Sequence, residues 1–78
     1  MLRFSRHAKR RLALYRVTIA QVEAALDRPL ASDRDDRGNP RFVAAHPEHR
    51  YIRVVVAKDD LEFVIAVHPR RTLPQQEQ

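Results

Sequence analysis

Apolar residues recur along this chain first at helical spacing and then at strand spacing. Between residues 6 and 15, Ala8, Leu12 and Tyr15 fall at i, i+4 and i+7, one face of a helix. Ser5 precedes them as an N-cap, and Phe4 can staple the helix entrance. His7, Arg11 and Leu14 form the adjacent stripe, while Arg6, Lys9 and Arg10 point toward water. Thr18 opens a second helix, with Gln21 completing a capping box and Ile19, Val22 and Leu26 making the core stripe beside Ala25. Arg28 and Pro29 end it, because proline disfavours the helical conformation for the residue before it. Only Arg16 and Val17 lie between the helices, so the pattern predicts a tight helical hairpin.

Past Pro29 the spacing changes to strand period. A short strand is predicted over 30–34, then a turn through Asp36, Gly38, Asn39 and Pro40, where Gly38 supplies a positive φ. "RFVAAH" reads as a strand, "PEH" as a turn and "RYIRVVVAK" as a strand. Asp59 and Asp60 turn the chain into "LEFVIAVH", which Pro69 ends. Alternation places Ile52, Val54 and Val56, and Phe63, Ile65 and Val67, beneath the helices together with Phe42. Leu12, Ile19, Val22 and Leu26 are expected to meet them in one core. The opposite face then carries Arg41, Val43, Tyr51, Arg53, Val55, Glu62, Val64, Ala66 and His68. Valines 43, 55 and 64 leave that face too apolar for plain solvent surface, which points to a groove, a partner site or a homodimer seam. The predicted fold is α+β, a helical hairpin on one face of a three- to four-stranded antiparallel sheet, with one domain over 1–69 and a polar tail over 70–78.

Composition adds bounds rather than detail. Seventy-eight residues, 44% hydrophobic and 32% charged, suit one small globular domain. With no cysteine there is neither a disulfide framework nor a thiolate metal site. No apolar run is long enough to span a membrane, and the basic N-terminus lacks the apolar stretch of a signal peptide, so the expected location is the cytoplasm. The net charge of +5 is uneven: residues 1–16 hold Arg3, Arg6, Lys9, Arg10, Arg11 and Arg16 and no acid. A polyanion is the partner that segment attracts best, although a solvated charged surface has the same composition.

The stretch "FSRHAKRRLALYRVTIAQVEAAL", followed by Asp27–Arg28–Pro29 and the meander "RVVVAKDDLEFVIAVHP", resembles a small bacterial family, domain of unknown function 4258. The resemblance runs over residues 4–69 and rests on His7, Ala8, Arg11, Thr18 and Val22. That family looks like the RelE/ParE toxin superfamily, in which two helices pack on a curved antiparallel sheet. Active members cleave mRNA on the ribosome or inhibit gyrase, and they pair with antitoxins. The resemblance therefore implies RNA or the ribosome as target and an antitoxin protein as partner. It carries no catalytic residue over. One departure stands out: relatives place Arg-Gly between the helices, where this chain has Tyr15–Arg16. If Arg16 takes the glycine's left-handed conformation, the loss costs about 1 kcal/mol.

Candidate chemistry narrows to two groups. His46 and His49 share a short polar turn without metal-ligand spacing, one glycine cannot build a phosphate loop, and Ser5 and Ser32 sit in no nucleophile elbow. The chain thus shows no motif for a metal or other cofactor. His7 and Arg11, four apart on a helix, face the same way; they suit a proton carrier beside a phosphate clamp, but the favoured reading is structural, with His7 hydrogen-bonded to the helix entrance or a sheet backbone group and Arg11 paired with an acid. On the sheet, Arg41, Tyr51, Arg53 and His68 are a set of the kind that meets RNA in toxin-like proteins, with cations on phosphates and an aromatic on a base, or else the rim charges of a dimer interface. A ribonuclease needs a base for the 2′-hydroxyl and charge stabilisation at phosphorus, roles that fit His68 and Arg53, with His7 as a third catalytic candidate. Arg6, Lys9, Arg10 and Arg11 join Arg41 and Tyr51 as nucleic-acid contacts. The aspartates 33, 35 and 36 read as a solvated turn. The leading function is a RelE/ParE-like protein acting on RNA or the ribosome, as a toxin or as a descendant that kept binding and lost catalysis; the alternative is a non-enzymatic interaction module using the open sheet face for a dimer or a protein partner.

Overall fold

Two side-chain caps start the helices. The computed structural model describes residues 1–73. Helix α1 spans Arg6–Tyr15, and the Ser5 hydroxyl accepts a hydrogen bond from the Ala8 N–H at 3.0 Å. The same hydroxyl donates to the Ile65 carbonyl at 3.0 Å, tying the helix start to the sheet. Helix α2 spans Ile19–Asp27 and carries the full capping box: Thr18 Oγ1 accepts from Gln21 N–H, and Gln21 Oε1 accepts from Thr18 N–H. Between them Arg16 sits at φ 56°, ψ 45°, and both its N–H and that of Val17 point back to the Leu12 carbonyl. The left-handed cap is therefore made by an arginine, where a glycine would adopt it without strain.

The sheet has five strands, in the order β1-β5-β4-β3-β2. They are β1 Arg3–Phe4, β2 Ala31–Arg34, β3 Pro40–His46, β4 Arg50–Ala57 and β5 Asp60–Arg70. Strands β2 to β5 are antiparallel, but β1 runs parallel to β5, with Arg3 opposite Phe63 and Phe4 opposite Val64. The sheet is thus mixed and five-stranded rather than antiparallel with three or four strands. A two-residue strand is too short to show alternation, so β1 leaves no pattern in the sequence. The Asp35 carboxylate holds the β2–β3 turn by accepting from the N–H groups of Arg37 and Asn39, and Gly38 takes φ 88° there. Strand β5 continues through Pro69, opposite Ile52, to Arg70, opposite Tyr51. Strand β1 reaches only Val64, so Pro69 lies where β5 is an edge and a missing N–H is tolerated. Of the tail predicted over 70–78, Arg70 belongs to this strand, and residues 74–78 lie outside the described residues.

A bulge in β5 re-sorts the core. Val55 faces Ala66, but Val56 faces Val64, which leaves Ile65 as the extra residue on β5. Val64 is thereby turned to the helix side and is wholly buried, whereas Phe63 and Ile65 are half-buried outside the main cluster. That reverses the faces predicted by strict alternation. The backbone carbonyl of Ile65 is the group that accepts the Ser5 hydroxyl. The core consists of Ile52, Val54, Val56, Val64 and Val67 under Ala8, Val17, Val22 and Ala25, with Leu12, Tyr15, Leu26 and Phe42 packed at its margin. Ile19 is 54% exposed, not a core residue; the buried apolar side chain at that end of the hairpin is Val17 of the connector. No helix among the described residues is long and apolar enough to cross a membrane.

Candidate functional site

The side of the sheet away from the core is built in rows. Directly opposed residues share a face, so register alone assembles three of them. Asp33, Arg41, Val55 and Ala66 form the first, and Ala31, Val43, Arg53 and His68 the second. Ala45, Tyr51 and Arg70 form the third. Helix α1 reaches the same place from the β5 edge: the His7 ring lies 6.4 Å from the His68 ring, centroid to centroid, tilted by 56°. Arg11, one turn on, donates from Nη1 to the Tyr15 hydroxyl at 3.0 Å and lies 5.8 Å from that ring's centre.

The apolar strip expected on this side is corrected. Val64 faces the helices, and Val43 and Val55 are only 1% and 5% exposed within the single chain. Each valine is flanked across the strands by an arginine, Val55 by Arg41 and Val43 by Arg53. Long arginine stems cover apolar surface in this way while their heads stay polar. What this side presents is a cationic surface with apolar footing.

Arg53 is the unusual member. It is half-buried, and its Nε is a buried donor without a hydrogen-bond partner. Burial, reinforced by Arg70 and Arg41, lowers its pKa, with Asp33 and Asp35 opposing. An arginine does not lose its proton in a protein; the shift instead expresses an unmet need for negative charge. Asp33 does not meet it. Its carboxylate is forked onto Arg41, Nε to Oδ1 at 2.8 Å and Nη2 to Oδ2 at 2.6 Å. That pairing lowers the Asp33 pKa and raises that of Arg41. Asp33 is therefore a strand residue in a bidentate pair, not part of a solvated turn. His68, beside Arg53, has its pKa lowered from 6.5 by burial first, then by Arg53, His7, Arg11 and Arg70. It is held neutral at pH 7, the state that accepts a proton.

The structure thus brings His68, Arg53, Arg41 and Tyr51 onto one side and adds His7 and Arg11 from α1. Arg6, Lys9 and Arg10 are exposed on α1. Arg70 was missed, being placed in the tail; continuing the period of two from His68 across Pro69 would have found it. The other two histidines hold the fold. His46, 4% exposed, accepts at Nδ1 from the Glu48 N–H at 3.1 Å, so its Nε2 donates to Gln21 Oε1 at 3.1 Å. His49 stacks on it with centroids 4.9 Å apart and donates from Nε2 to the Tyr15 carbonyl at 2.7 Å. Among the described residues, no three His, Asp or Glu side chains converge as a metal site would need.

Fold and site together define a small α+β protein with two helices on one side of a mixed sheet and a half-buried cationic cluster on the other. The family model for domain of unknown function DUF4258 matches residues 4–68, and the chain belongs to that family. No curated protein matches the chain, and neither does any solved structure.

Proposed function

We propose that this protein is a RelE/ParE-like module that binds RNA, free or on the ribosome, through the cationic side of its sheet and cleaves it as a toxin does. The observation that carries the reading is Arg53, whose buried Nε lacks an acceptor amid other cations and beside a neutral histidine. A phosphodiester at the guanidinium head supplies the missing charge. Tyr51, in the next row, offers a ring for base stacking. Arg6, Lys9, Arg10 and Arg11 extend the positive field along α1, and Arg41 joins when its fork to Asp33 opens. An antitoxin partner, under this reading, masks the same surface. Dimerisation through this side, as a non-enzymatic module, has less support, because Val43 and Val55 are already buried in the single chain.

Binding to a single-stranded oligoribonucleotide should fall linearly in log–log form with salt. The combined Arg6→Ala, Lys9→Ala and Arg10→Ala change should lower that slope by up to about one unit per lost phosphate contact. Affinity indifferent both to salt and to the triple change would remove RNA as the partner.

A further inference from the structure

The four histidines divide into two pairs of opposite kind. The rings of His46 and His49 are tied to Gln21, Glu48 and Tyr15 by hydrogen bonds. His7 and His68 face one another beside Arg53, and among the described residues no hydrogen bond holds either ring. We infer that His68 and His7 are an acid–base couple acting on a phosphodiester seated against Arg53, with His68 taking the 2′-hydroxyl proton and His7 protonating the departing 5′-oxygen. The inference rests on the RNA reading above.

Three features place the couple. A centroid separation of 6.4 Å is too long for a direct hydrogen bond between the rings, so neither ring satisfies the other. Their surroundings differ in the sense that two roles require. His68 is half-buried, with Arg53 facing it from β4, Arg70 from its own strand, and His7 and Arg11 from α1, all of which favour its neutral form. His7 is exposed in the first turn of α1, facing His68 and, one turn on, Arg11. The departing strand can leave on that side, and water can restore the proton.

The step balances without a further reactant. The O2′–H proton passes to His68 as the O2′–P bond forms. Arg53 holds the non-bridging oxygens while charge builds on them. The P–O5′ bond then breaks, and the 5′-oxygen takes a proton from the His7 imidazolium. A 2′,3′-cyclic phosphate and a 5′-hydroxyl end result, and exchange with water resets both rings. Base, acid and charge stabilisation all come from this one chain, so the couple works on free RNA.

Two substrates separate the roles: a ribodinucleotide, whose 5′-alkoxide leaves poorly, and a uridine 3′-aryl phosphate, whose phenolate leaves without protonation. His68→Ala and the more isosteric His68→Gln should abolish cleavage of both. His7→Ala should slow the dinucleotide by about 10²–10⁴-fold, the range for one general acid, and leave the aryl ester near wild type. The dinucleotide's kcat/KM should rise through a pKa below 6.5 as His68 deprotonates, and that rise should persist in His7→Ala at its lower rate. Thermal melts and oligonucleotide binding of each variant, close to wild type, exclude misfolding. Equal loss on both substrates with His7→Ala, or no loss on either, overturns the couple. Wild-type protein that binds oligoribonucleotide but cleaves neither substrate overturns it while leaving RNA binding in place; absence of that binding overturns both.

Discussion

Ile52 and Arg53 are neighbours in the chain and point to opposite sides of the same strand. On one side Ile52, Val54, Val56, Val64 and Val67 lie under two helices, with Ala8, Val22 and Ala25 wholly buried against them. On the other, buried Val43 and Val55 are framed by arginines, and one guanidinium donor is left without an acceptor. The first side is satisfied in every respect: apolar atoms meet apolar atoms. The second is not, because desolvated charge without a counter-charge costs stability. A domain of this size has little stability to give up, only about 0.05–0.15 kcal/mol per residue. Folding alone therefore gives no reason for the uncompensated charge, which is what the proposed role of Arg53 accounts for.

Adjacent substitutions test that contrast most directly. Ile52→Ala opens a cavity in the core and should cost about 2–5 kcal/mol in a denaturant melt, while the surviving folded protein still binds RNA. Arg53→Met should do the reverse. It should leave the melting temperature unchanged or raised, since a shape-matched apolar residue removes an unpaired buried charge, and it should weaken oligoribonucleotide binding by about 1.5–3 kcal/mol. If Arg53→Met destabilises the protein as much as Ile52→Ala does, the two sides are not different in kind.

Asp33→Asn tests the same contrast by a smaller step. The fork from Arg41 holds the Asp33 carboxyl below its ordinary 3.8. Its stabilisation is therefore present above pH 3.8 and is lost as the pH falls through the lower folded value. The asparagine variant should lose up to about 1 kcal/mol at neutral pH, as befits a partly exposed pair, and its urea midpoint should vary less with pH below 3.8 than that of the wild type. It also frees Arg41 for phosphate, so RNA binding should tighten. Weaker binding would show that Asp33 organises the site rather than competes for it.

The smallest effect belongs to the connector. Arg16→Gly relieves a left-handed residue and should stabilise by about 0.5–1 kcal/mol, with RNA affinity falling only by the loss of one peripheral charge.

The helices could be read from the chain because their signals are local. Ser5, the Thr18–Gln21 box and Arg28–Pro29 each act within a few residues, so the predicted bounds of α1 and the cap of α2 agree with the structure. The grouping of Arg41, Tyr51, Arg53 and His68 was legible because period-two alternation holds without interruption through β3 and β4. It fails in β5, where one extra residue at Ile65 exchanges the face of Val64 before it and a second register shift follows at Ala57. An extra residue in a strand has no side-chain signature, and its carbonyl partner, Ser5, lies 60 positions away. Distance hides the Arg41–Asp33 fork too, since an acid among turn formers looks solvated until a strand pairs it. Register, not composition, decided each of these.

The strand pairing of Arg3 and Phe4 with Phe63 and Val64 sets an order of assembly. During synthesis β1 leaves the ribosome first and must wait for β5, the last strand made, before its backbone groups find partners. The tie from helix α1 to the sheet waits with it, since the cap residue Ser5 donates its hydroxyl hydrogen bond to the Ile65 carbonyl. Closing that span carries the entropy cost of joining distant parts of a chain, which slows the final step relative to hairpin formation among β3, β4 and β5. His7 and His68 can therefore come together only once β5 has been made, which puts the candidate site among the last parts of the fold to assemble.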